Sequence, residues 1–422
     1  MIKEFKVWLY QFLRKTQKYT GTDNIYLAKG GFWLTLGQII STAASFLLAV
    51  AFANLLDPIV YGNYRYVLSL VGILSIFTLP GMGIAIAQAA ARGLEGSFYQ
   101  GFKEKIKFGV LGSIAAVGLA GYYFFRGNYI LPVPLLISAI FLPLMLASQV
   151  YSSFLTGKKL FNFQVKYTTL SQIISVGIII TVLFLTKNLF WLIAVYFVSH
   201  TFLNYFFYLI TQKKFQPNKK KDPQTLSYGK HLSLMGVFTQ IASSLDRIII
   251  FHYLGAVGVA IYQFAIAPPE QIKGFLSSLN ILALPKFSQR NITEIKKGIK
   301  NKFIKLSLFA ILVVGSYILI APFLYKIFFP QYQESILYSQ LFALGMLNLP
   351  FFLFGEALEA KVKIKEQYSK NIITPIFQIG LMVVLVIWLG LLGIIIARII
   401  TRIFGGFLGF FFYHRAFSDT RQ

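Results

Sequence analysis

Six charged residues lie within apolar stretches of the second half of the chain. They are four cations and two carboxylates: Arg247, Lys273, Arg398, Arg402, Asp246 and Glu270. If these stretches cross a membrane, each unpaired charge costs at least about 2.5 to 3.5 kcal/mol on insertion scales, so such side chains normally face a partner or a watery cavity. The six residues are therefore the first candidates for a binding site.

Arg398 and Arg402 are four residues apart, so they lie about one turn apart on the same face of a helix. Two guanidinium groups in one cavity suit a pyrophosphate, because each planar fork can donate two charge-assisted hydrogen bonds to oxyanions. We predict that a pyrophosphate binds to basic residues of this group. The candidates are Arg398, Arg402, Arg247 and Lys273. The alternative is that the two arginines pair with Asp246, Glu270 or backbone carbonyls and brace the helices.

Asp246 and Glu270 are the candidate residues for energy coupling or gating. Asp246 is adjacent to Arg247, so their side chains point about 100° apart on a helix and are expected to satisfy different partners. The sequence leaves open whether a carboxylate couples transport to a proton or sodium ion, or whether an ion pair holds a gate.

Helix-breaking residues occur at corresponding places in the two halves of the chain. The second apolar run of the first half carries Pro80 and Gly81, and the second run of the second half carries Pro268 and Pro269. Proline frees a backbone carbonyl and bends a helix. Because interrupted helices at matching positions point to a transport site, we predict breaks near the site at these residues. For a single proline, a packing kink is the simpler explanation.

The composition defines the class of protein. Hydrophobic residues make up 56% of the chain, charged residues make up 13%, and the mean hydropathy is +0.66, as expected for a polytopic membrane protein. Cysteine is absent, which excludes disulfides and thiolate metal sites. The chain contains no motif for nucleotide hydrolysis, zinc-dependent hydrolysis or a serine nucleophile. We therefore predict no catalytic residue, no metal site and no cofactor.

Apolar runs of about 20 residues, each long enough to cross a bilayer as a helix, divide the chain into two sets of six. In the first half, two lie within Gly30–Arg92 and four at Ile106–Phe125, Pro134–Leu155, Thr168–Leu185 and Phe190–Ile210. In the second half, they lie at Leu232–His252, Tyr262–Leu284, Phe303–Leu324, Ile336–Leu358, Ile372–Gly390 and Leu391–Tyr413. Leu56 and Tyr64 recur as Leu254 and Tyr262 at the same spacing, which indicates duplication.

These patterns predict an all-α polytopic membrane protein, with about twelve transmembrane helices in two parallel-repeat six-helix bundles around a central cavity. The predicted segments are an N-terminal interfacial segment at 1–29, lobes at 30–210 and 232–413, a cytoplasmic linker at 211–231 and a cytoplasmic tail at 414–422. The first 20 residues fit either an amphipathic helix at the membrane surface or a disordered basic tail.

The distribution of charge predicts the topology. Most of the 40 Lys and Arg residues fall in segments placed on one side, and the opposite loops hold only Arg65, Arg126, Lys187 and Lys326. Positive residues are retained on the cytoplasmic side, so both termini are expected there. The net charge of +26 then reflects orientation and contact with anionic membrane lipid, and no nucleic-acid partner is predicted.

Two segments resemble a known family. Residues Leu56 to Tyr64 match a loop of the form L-x-P-x-x-Y-G-x-Y, with Asp57 before the proline, and the segment SSLDRIIIFHYLGAVGVAIYQFA contains an Asp-Arg pair before a second such loop. Both are similar to the polysaccharide transporter family, the Wzx-type flippases of the multidrug/oligosaccharidyl-lipid/polysaccharide exporter superfamily.

The resemblance implies a flippase, and no enzymatic activity, in a bacterial cell (inner) membrane. It would translocate an O-antigen or other surface polysaccharide repeat linked to undecaprenyl pyrophosphate, alongside other polysaccharide assembly proteins. Asp246 and Arg247 match the family's Asp-Arg pair, and Lys273 stands where the eighth helix often has a basic residue. Arg398 and Arg402 match no family motif.

Two other functions stay open. A cation-coupled multidrug exporter of the same superfamily should place carboxylates in its cavities, whereas the first six predicted spans contain neither Asp nor Glu. A membrane polysaccharide polymerase usually has a large external loop, whereas every predicted outer connection is short. Both comparisons favour the flippase.

Overall fold

A computed structural model describes residues 24–280, 292–360 and 364–418 of the chain. The described residues form α-helices, short 3₁₀ segments and connecting turns. The first 23 residues, which hold most of the expected interfacial segment, lie outside this part of the chain. The first described helix, α1, starts at Asn24.

From Asn24 onward, the described residues of the first half of the chain form eight helices, which we call the N-bundle. They are α1 (Asn24–Leu55), α2 (Pro58–Leu74), α3 (Met82–Ala91), α4 (Ser97–Phe125), α5 (Pro132–Ser148), α6 (Val150–Gly157), α7 (Phe161–Leu185) and α8 (Leu189–Phe215). Helix α9 (Gln224–Met235) follows. The next helices form the C-bundle: α10 (Val237–Asn280), α11 (Ile292–Phe328), α12 (Ser335–Ala343), α13 (Phe352–Ala360) and α14 (Ile364–Ser418).

Helices α10 and α14 each reverse direction at one glycine. Gly255 has φ +72° and Gly390 has φ +55°, a left-handed conformation that glycine adopts without steric cost. We name the arms α10a (237–254), α10b (256–280), α14a (364–389) and α14b (391–418). Asp246 and Tyr262 show the reversal: they are 16 residues apart, yet their side chains lie 2.7 Å apart, where a straight helix would separate them by about 24 Å.

The reversals determine how many helical segments are available to cross a membrane. Ten helices among the described residues are long and apolar enough to span a membrane. Two of the ten contain the reversals at Gly255 and Gly390, so the described chain has twelve helical segments that can cross a membrane. The predicted all-α polytopic fold is therefore confirmed. The hairpin expected from Leu232–His252 and Tyr262–Leu284 is present, but its turn is the single residue Gly255, because helix continues on both sides of it.

The first hairpin turns at a cap. The side chain of Asp57 accepts a hydrogen bond of 2.7 Å from the backbone N–H of Ile59, and Pro58 is the first residue of α2. Both features favour a helix start, since the cap satisfies a free N–H and proline fixes φ. We call the side of the molecule with this turn and Gly255 the turn end, and the opposite side, with α9, the linker end.

The N-bundle and the C-bundle contact each other at the turn end through aromatic rings. Tyr61 stacks on Phe264 with ring centroids 4.8 Å apart, and Tyr66 stacks on Phe251 at 3.7 Å. Stacked aromatic pairs contribute about 0.5–1.5 kcal/mol beyond the area they bury. These pairs hold the two bundles together at this end.

Helix α4 begins earlier than the sequence predicts. It starts at Ser97, not near Ile106, because the basic segment before Ile106 continues the helix beyond the apolar run. The helix therefore contains Glu104 and Lys105. The first six spans were expected to contain neither Asp nor Glu. This expectation is wrong, because the longer span Ser97–Phe125 contains Glu104.

The segment expected as a linker is partly helical. Helix α8 continues to Phe215, and α9 begins after Pro223. The residues between them bind to the N-bundle, since Gly96 N–H donates to Lys220 O at 2.8 Å and Asn218 N–H donates to Glu95 Oε2 at 2.9 Å. We call this attached segment, residues 216–223, the strap.

Two carboxylates fasten the strap. Burial raises the pKa of Glu95, but the hydrogen bonds from Lys158 Nζ (2.5 Å) and the Asn218 backbone outweigh it and lower that pKa below its ordinary value. The pKa of Asp222 is also lowered, first by a hydrogen bond from the Gln224 backbone and further by Arg92. Both groups therefore favour the ionised, attached form.

Candidate functional site

The six charged residues singled out in the sequence meet in one place, which we call the charge cluster. Helix α10a supplies Asp246 and Arg247, α10b supplies Glu270 and Lys273, and α14b supplies Arg398 and Arg402. The reversal at Gly255 places α10a beside α10b, and α14b packs against them. The cluster thus joins residues from three membrane-spanning segments.

Arg398 is the central member of the cluster. Its Nη1 lies 2.5 Å from Asp246 Oδ2, and its Nη2 lies 3.1 Å from Glu270 Oε1. One guanidinium group therefore ties α10a and α10b to α14b. This is the bracing arrangement that the sequence left as an alternative.

Asp246 is fully enclosed. Besides Arg398, it accepts hydrogen bonds from the Tyr262 hydroxyl at 2.7 Å and from the backbone N–H of Arg247 at 2.8 Å. The side chain of Arg247 donates from Nε to Gln263 Oε1 at 2.8 Å, and its Nη1 lies 3.6 Å from Asp246 Oδ1. The adjacent acid and base therefore pair with each other, and each also has a partner of its own: Arg398 for Asp246 and Gln263 for Arg247.

Arg402 is held on two sides but retains an unused donor. Its Nη2 pairs with Glu270, and its guanidinium carbon lies 4.3 Å from the ring centroid of Phe342, a cation–π geometry. Its Nη1 is buried without a hydrogen-bond partner among the described residues. Gly345 lies against the same side chain, so a methyl group there would come within 3.0 Å of Nη1 and Cδ.

Lys273 is the most accessible cation of the cluster. Its Nζ lies 3.6 Å from Glu270 Oε2, and 45% of its side chain is exposed. With all side chains ionised, the cluster has four positive charges and two negative charges. A net positive charge is therefore left for a ligand.

A cavity of about 350 Å³, the C-bundle cavity, adjoins the cluster. Three of the four predicted cations line it: Lys273, Arg398 and Arg402. Arg247 is not among the residues that form its described wall. Asn348 Oδ1 and Thr374 Oγ1, also on this wall, are buried without a hydrogen-bond partner among the described residues. Unsatisfied buried donors and acceptors cost free energy, and a polar ligand would satisfy them.

Of the two predicted helix breaks, the structure contains the one at Pro80 and Gly81 and lacks the one at Pro268 and Pro269. Helix α2 and the short 3₁₀ segment that follows it end at Leu79, which has φ +53°. Pro80 and Gly81 come next, and α3 begins after them. The chain remains helical through Pro268 and Pro269, so the break expected there is absent. Neighbouring helices can satisfy the carbonyls that proline frees inside a membrane helix.

A larger cavity, of about 680 Å³, lies inside the N-bundle and was not predicted. Pro80 lies on its wall together with Lys105, Gln149, His200 and Asn204. His200 is held by Ser175, with Nδ1 2.8 Å from the Ser175 hydroxyl oxygen. Lys105 was not predicted from the sequence, because the predicted span begins at Ile106 and leaves Lys105 just outside the membrane.

Tyr262 and Gln263 are further members of the site that the sequence did not identify. Tyr262 matches Tyr64 in the repeated pattern, and this match was read only as a sign of duplication. The sequence offers no comparable signal for Asn348 or Thr374.

Comparison with solved structures defines the class of fold. The chain is similar to an inward-facing multidrug resistance MATE family transporter of the MOP superfamily, with TM-score 0.69 and 14% identity over 90% of this chain and 95% of that chain. It is also similar to MATE in complex with MaD5, with TM-score 0.65 and 16% identity over 93% and 96% of the two chains.

A third similar structure is a MOP superfamily transporter from Pyrococcus furiosus, whose binding pocket is described as having reverse polarity. Its TM-score is 0.58, with 14% identity over 93% of this chain and 96% of that chain. At these identities the comparison establishes the fold alone, which this chain shares with the three solved transporters.

The family follows from a sequence comparison. The model of the polysaccharide biosynthesis protein family matches residues 27–291, well over half of the chain. The chain therefore belongs to this family. A search of curated proteins gave no match. Together, the family and the long apolar helices support a multi-pass membrane protein of the polysaccharide biosynthesis protein family, with the fold of these transporters.

Proposed function

We propose that this protein flips an undecaprenyl-pyrophosphate-linked oligosaccharide from the cytoplasmic to the outer leaflet of a bacterial cell membrane by alternating access. In this proposal both termini are cytoplasmic. The observation that carries it is the unbalanced charge beside the C-bundle cavity, where four cations share two carboxylates. A pyrophosphate supplies the missing negative charge and several oxygen acceptors.

Arg402 and Lys273 are the proposed contacts for the pyrophosphate. Arg402 has an unsatisfied donor at Nη1, and Lys273 is the most exposed cation of the cluster. Arg398 is less available, because both of its terminal nitrogens already bind carboxylates. Its role is to support the site by fixing the three helical segments.

An apolar cavity on α10b is the proposed contact for the lipid part of the substrate. This cavity, of about 410 Å³, is lined by Pro268, Gln271 and Ile272 together with apolar residues of α11. Lys273, the next residue, lines the C-bundle cavity on another face of α10b. A ligand with a charged group joined to a hydrocarbon chain can therefore contact both faces of this helix.

Asp246 and Glu270 act in this proposal as gating residues. Each carboxylate joins a different arm of α10 to Arg398 on α14b. Separation of these segments requires an ion pair to break, and the negative charge of an arriving pyrophosphate can replace a carboxylate on arginine. The aromatic pairs at the turn end must also separate when the cavity opens to that side.

Cation-coupled drug export is the competing function. It requires a carboxylate open to a cation, and both Asp246 and Glu270 are paired with arginine. The observed pairing therefore favours an anionic substrate for the C-bundle cavity.

The test is a flipping assay in proteoliposomes with two fluorescent lipids that share the same sugar and polyprenyl chain. One lipid carries a pyrophosphate link, and the other a neutral link. Label transferred to the outer leaflet is quenched by an impermeant reductant, and protein-free liposomes provide the background. We expect the pyrophosphate-linked lipid to flip at least about tenfold faster, a difference of ~1.4 kcal/mol. Equal rates, or export of cationic dyes against an ion gradient without lipid flipping, would refute the proposal.

A further inference from the structure

The N-bundle cavity contains a cation whose surroundings differ from those of the charge cluster. Lys105 lies on α4 and is only 7% exposed, and it forms part of the cavity wall. It makes no hydrogen bond or ion pair with any residue that the structure describes. Its ammonium group therefore has three donors available in the cavity.

The neighbouring carboxylate does not neutralise Lys105. Glu104 precedes it in the sequence, but adjacent side chains on a helix point about 100° apart. No ion pair joins the two within the described part of the chain. Among the described residues, the wall of this cavity contains neither Asp nor Glu. The cavity thus has one positive charge and no described negative charge.

An unpaired ammonium group buried in a helical bundle is unfavourable, because it loses hydration without gaining a counter-charge. Such residues in membrane helices are usually functional and face a cavity. Lys105 satisfies this description, whereas the buried arginines of the C-bundle are already paired.

The wall of the N-bundle cavity is also rich in hydroxyl and amide groups. Gln149 lies at the junction of α5 and α6, Ser153 lies on α6, and Tyr196 and Asn204 lie on α8. These groups can donate and accept hydrogen bonds, so they suit a ligand that carries hydroxyl groups as well as a charge.

We infer that the N-bundle cavity is an anion-binding site in which Lys105 Nζ binds the negatively charged group of a small or hydroxyl-bearing ligand. Two sources of this group have the same chemistry: an acidic sugar in a glycan, or a free inorganic anion. The inference rests on the N-bundle alone and does not depend on the flipping of a pyrophosphate lipid.

The experiment uses the full chain in nanodiscs, in a buffer free of chloride and phosphate and at constant ionic strength. Binding of sodium glucuronate, glucose, sodium phosphate and sodium chloride is measured by calorimetric titration. We expect at least one anion to bind at least tenfold more tightly than glucose. Binding of glucuronate alone identifies the acidic-sugar source, whereas binding of chloride or phosphate identifies a free anion, and either result supports the site.

Variants connect the binding to Lys105. Lys105→Met removes the charge and keeps the length of the side chain, so it should weaken anion binding at least tenfold. Lys105→Arg keeps the charge and should bind within a few-fold of the wild type. Lys107→Met alters an exposed lysine of the same helix and should have no effect.

The inference is overturned if no anion binds, or if Lys105→Met binds anions as tightly as the wild-type protein. Lys105→Met should have an unchanged or higher Tm, since it removes an unpaired buried charge, and this separates loss of binding from loss of folding. A failure of lipid flipping with intact Lys105-dependent anion binding would refute only the proposed function.

Discussion

The two bundles hold their buried cations in opposite ways. In the C-bundle, Arg398 and Arg402 are bound to carboxylates from both arms of α10. In the N-bundle, Lys105 stands alone among the described residues, surrounded by neutral polar groups. In the C-bundle, the ion pairs hold helical segments together, and the positive charge that exceeds the two carboxylates is available for a ligand. Whether a buried cation is paired is therefore a better indication of a binding site than how many cations are present.

The largest expected effect comes from breaking the brace. Arg398→Ala leaves the fully enclosed Asp246 without its nearest counter-charge, and removing one partner of a buried pair typically costs about 3–5 kcal/mol. We expect a large fall in Tm for the protein in nanodiscs. The double variant Arg398→Ala/Asp246→Asn should recover much of the loss, and Lys187→Ala, at an exposed residue, should have no effect. Wild-type stability in Arg398→Ala would show that the brace is unimportant.

Removal of the buried cation in the N-bundle should stabilise the protein, whereas removal of Arg398 in the C-bundle should destabilise it. Lys105→Met removes a buried charge that has no described partner, so we expect the free energy of unfolding to rise by about 1 kcal/mol or more, the low end of the range for such replacements. Thermal unfolding of both variants in the same nanodiscs measures the contrast. A clear fall in Tm for Lys105→Met would mean that this lysine has a structural partner.

A smaller effect is expected from a variant that moves the proposed ligand contact, Arg402, and leaves the ion pairs of Arg398 in place. Gly345→Ala places a methyl group within 3.0 Å of Arg402 Nη1 and Cδ, so the guanidinium group must move. We expect the flipping rate to fall about tenfold, or ~1.4 kcal/mol, with little change in Tm. The matched control is Gly380→Ala, where a methyl group meets open space. If the two variants flip lipid equally well, the position of Arg402 does not matter.

The smallest effect concerns the strap at the linker end. The pKa values of Glu95 and Asp222 are lowered in the folded protein, so their contribution is present above the ordinary carboxylate pKa, about 4. It is lost as the pH falls below that value and through the lowered folded-state pKa. We expect hydrogen-exchange protection of 216–223, corrected for intrinsic rates, to fall a few-fold in this range, since pairs near solvent contribute little. Glu95→Gln should reduce this pH dependence, and an unaltered profile in that variant would contradict the assignment.

The fold was predictable because hydropathy and helix length determine it. Runs of about 20 apolar residues have few alternatives in a bilayer, and the repeat of Leu56 and Tyr64 at Leu254 and Tyr262 indicated the duplication. The reversals were not predicted as single residues, because a turn made by one glycine such as Gly255 leaves almost no polar signal in the sequence.

The charge cluster was predictable in membership but not in pairing. Apolar surroundings identified all six residues, whereas their partners depend on where the two reversals place α10b and α14b. Lys105 was missed for a different reason, since the helix extends beyond the apolar run at its linker end. Pro268 and Pro269 show the reverse error, because a proline pair can remain within a continuous membrane helix.

The most direct test of the central claim, that the excess charge of the C-bundle binds the pyrophosphate, is the initial flipping rate of Arg402→Gln. This variant leaves Glu270 paired with Arg398 and Lys273, so it should fold. The account predicts a rate at least about tenfold below that of the wild type for the pyrophosphate-linked lipid, with Lys187→Gln unchanged. A folded Arg402→Gln protein that flips this lipid at the wild-type rate would contradict the account and leave the arginine a purely structural role.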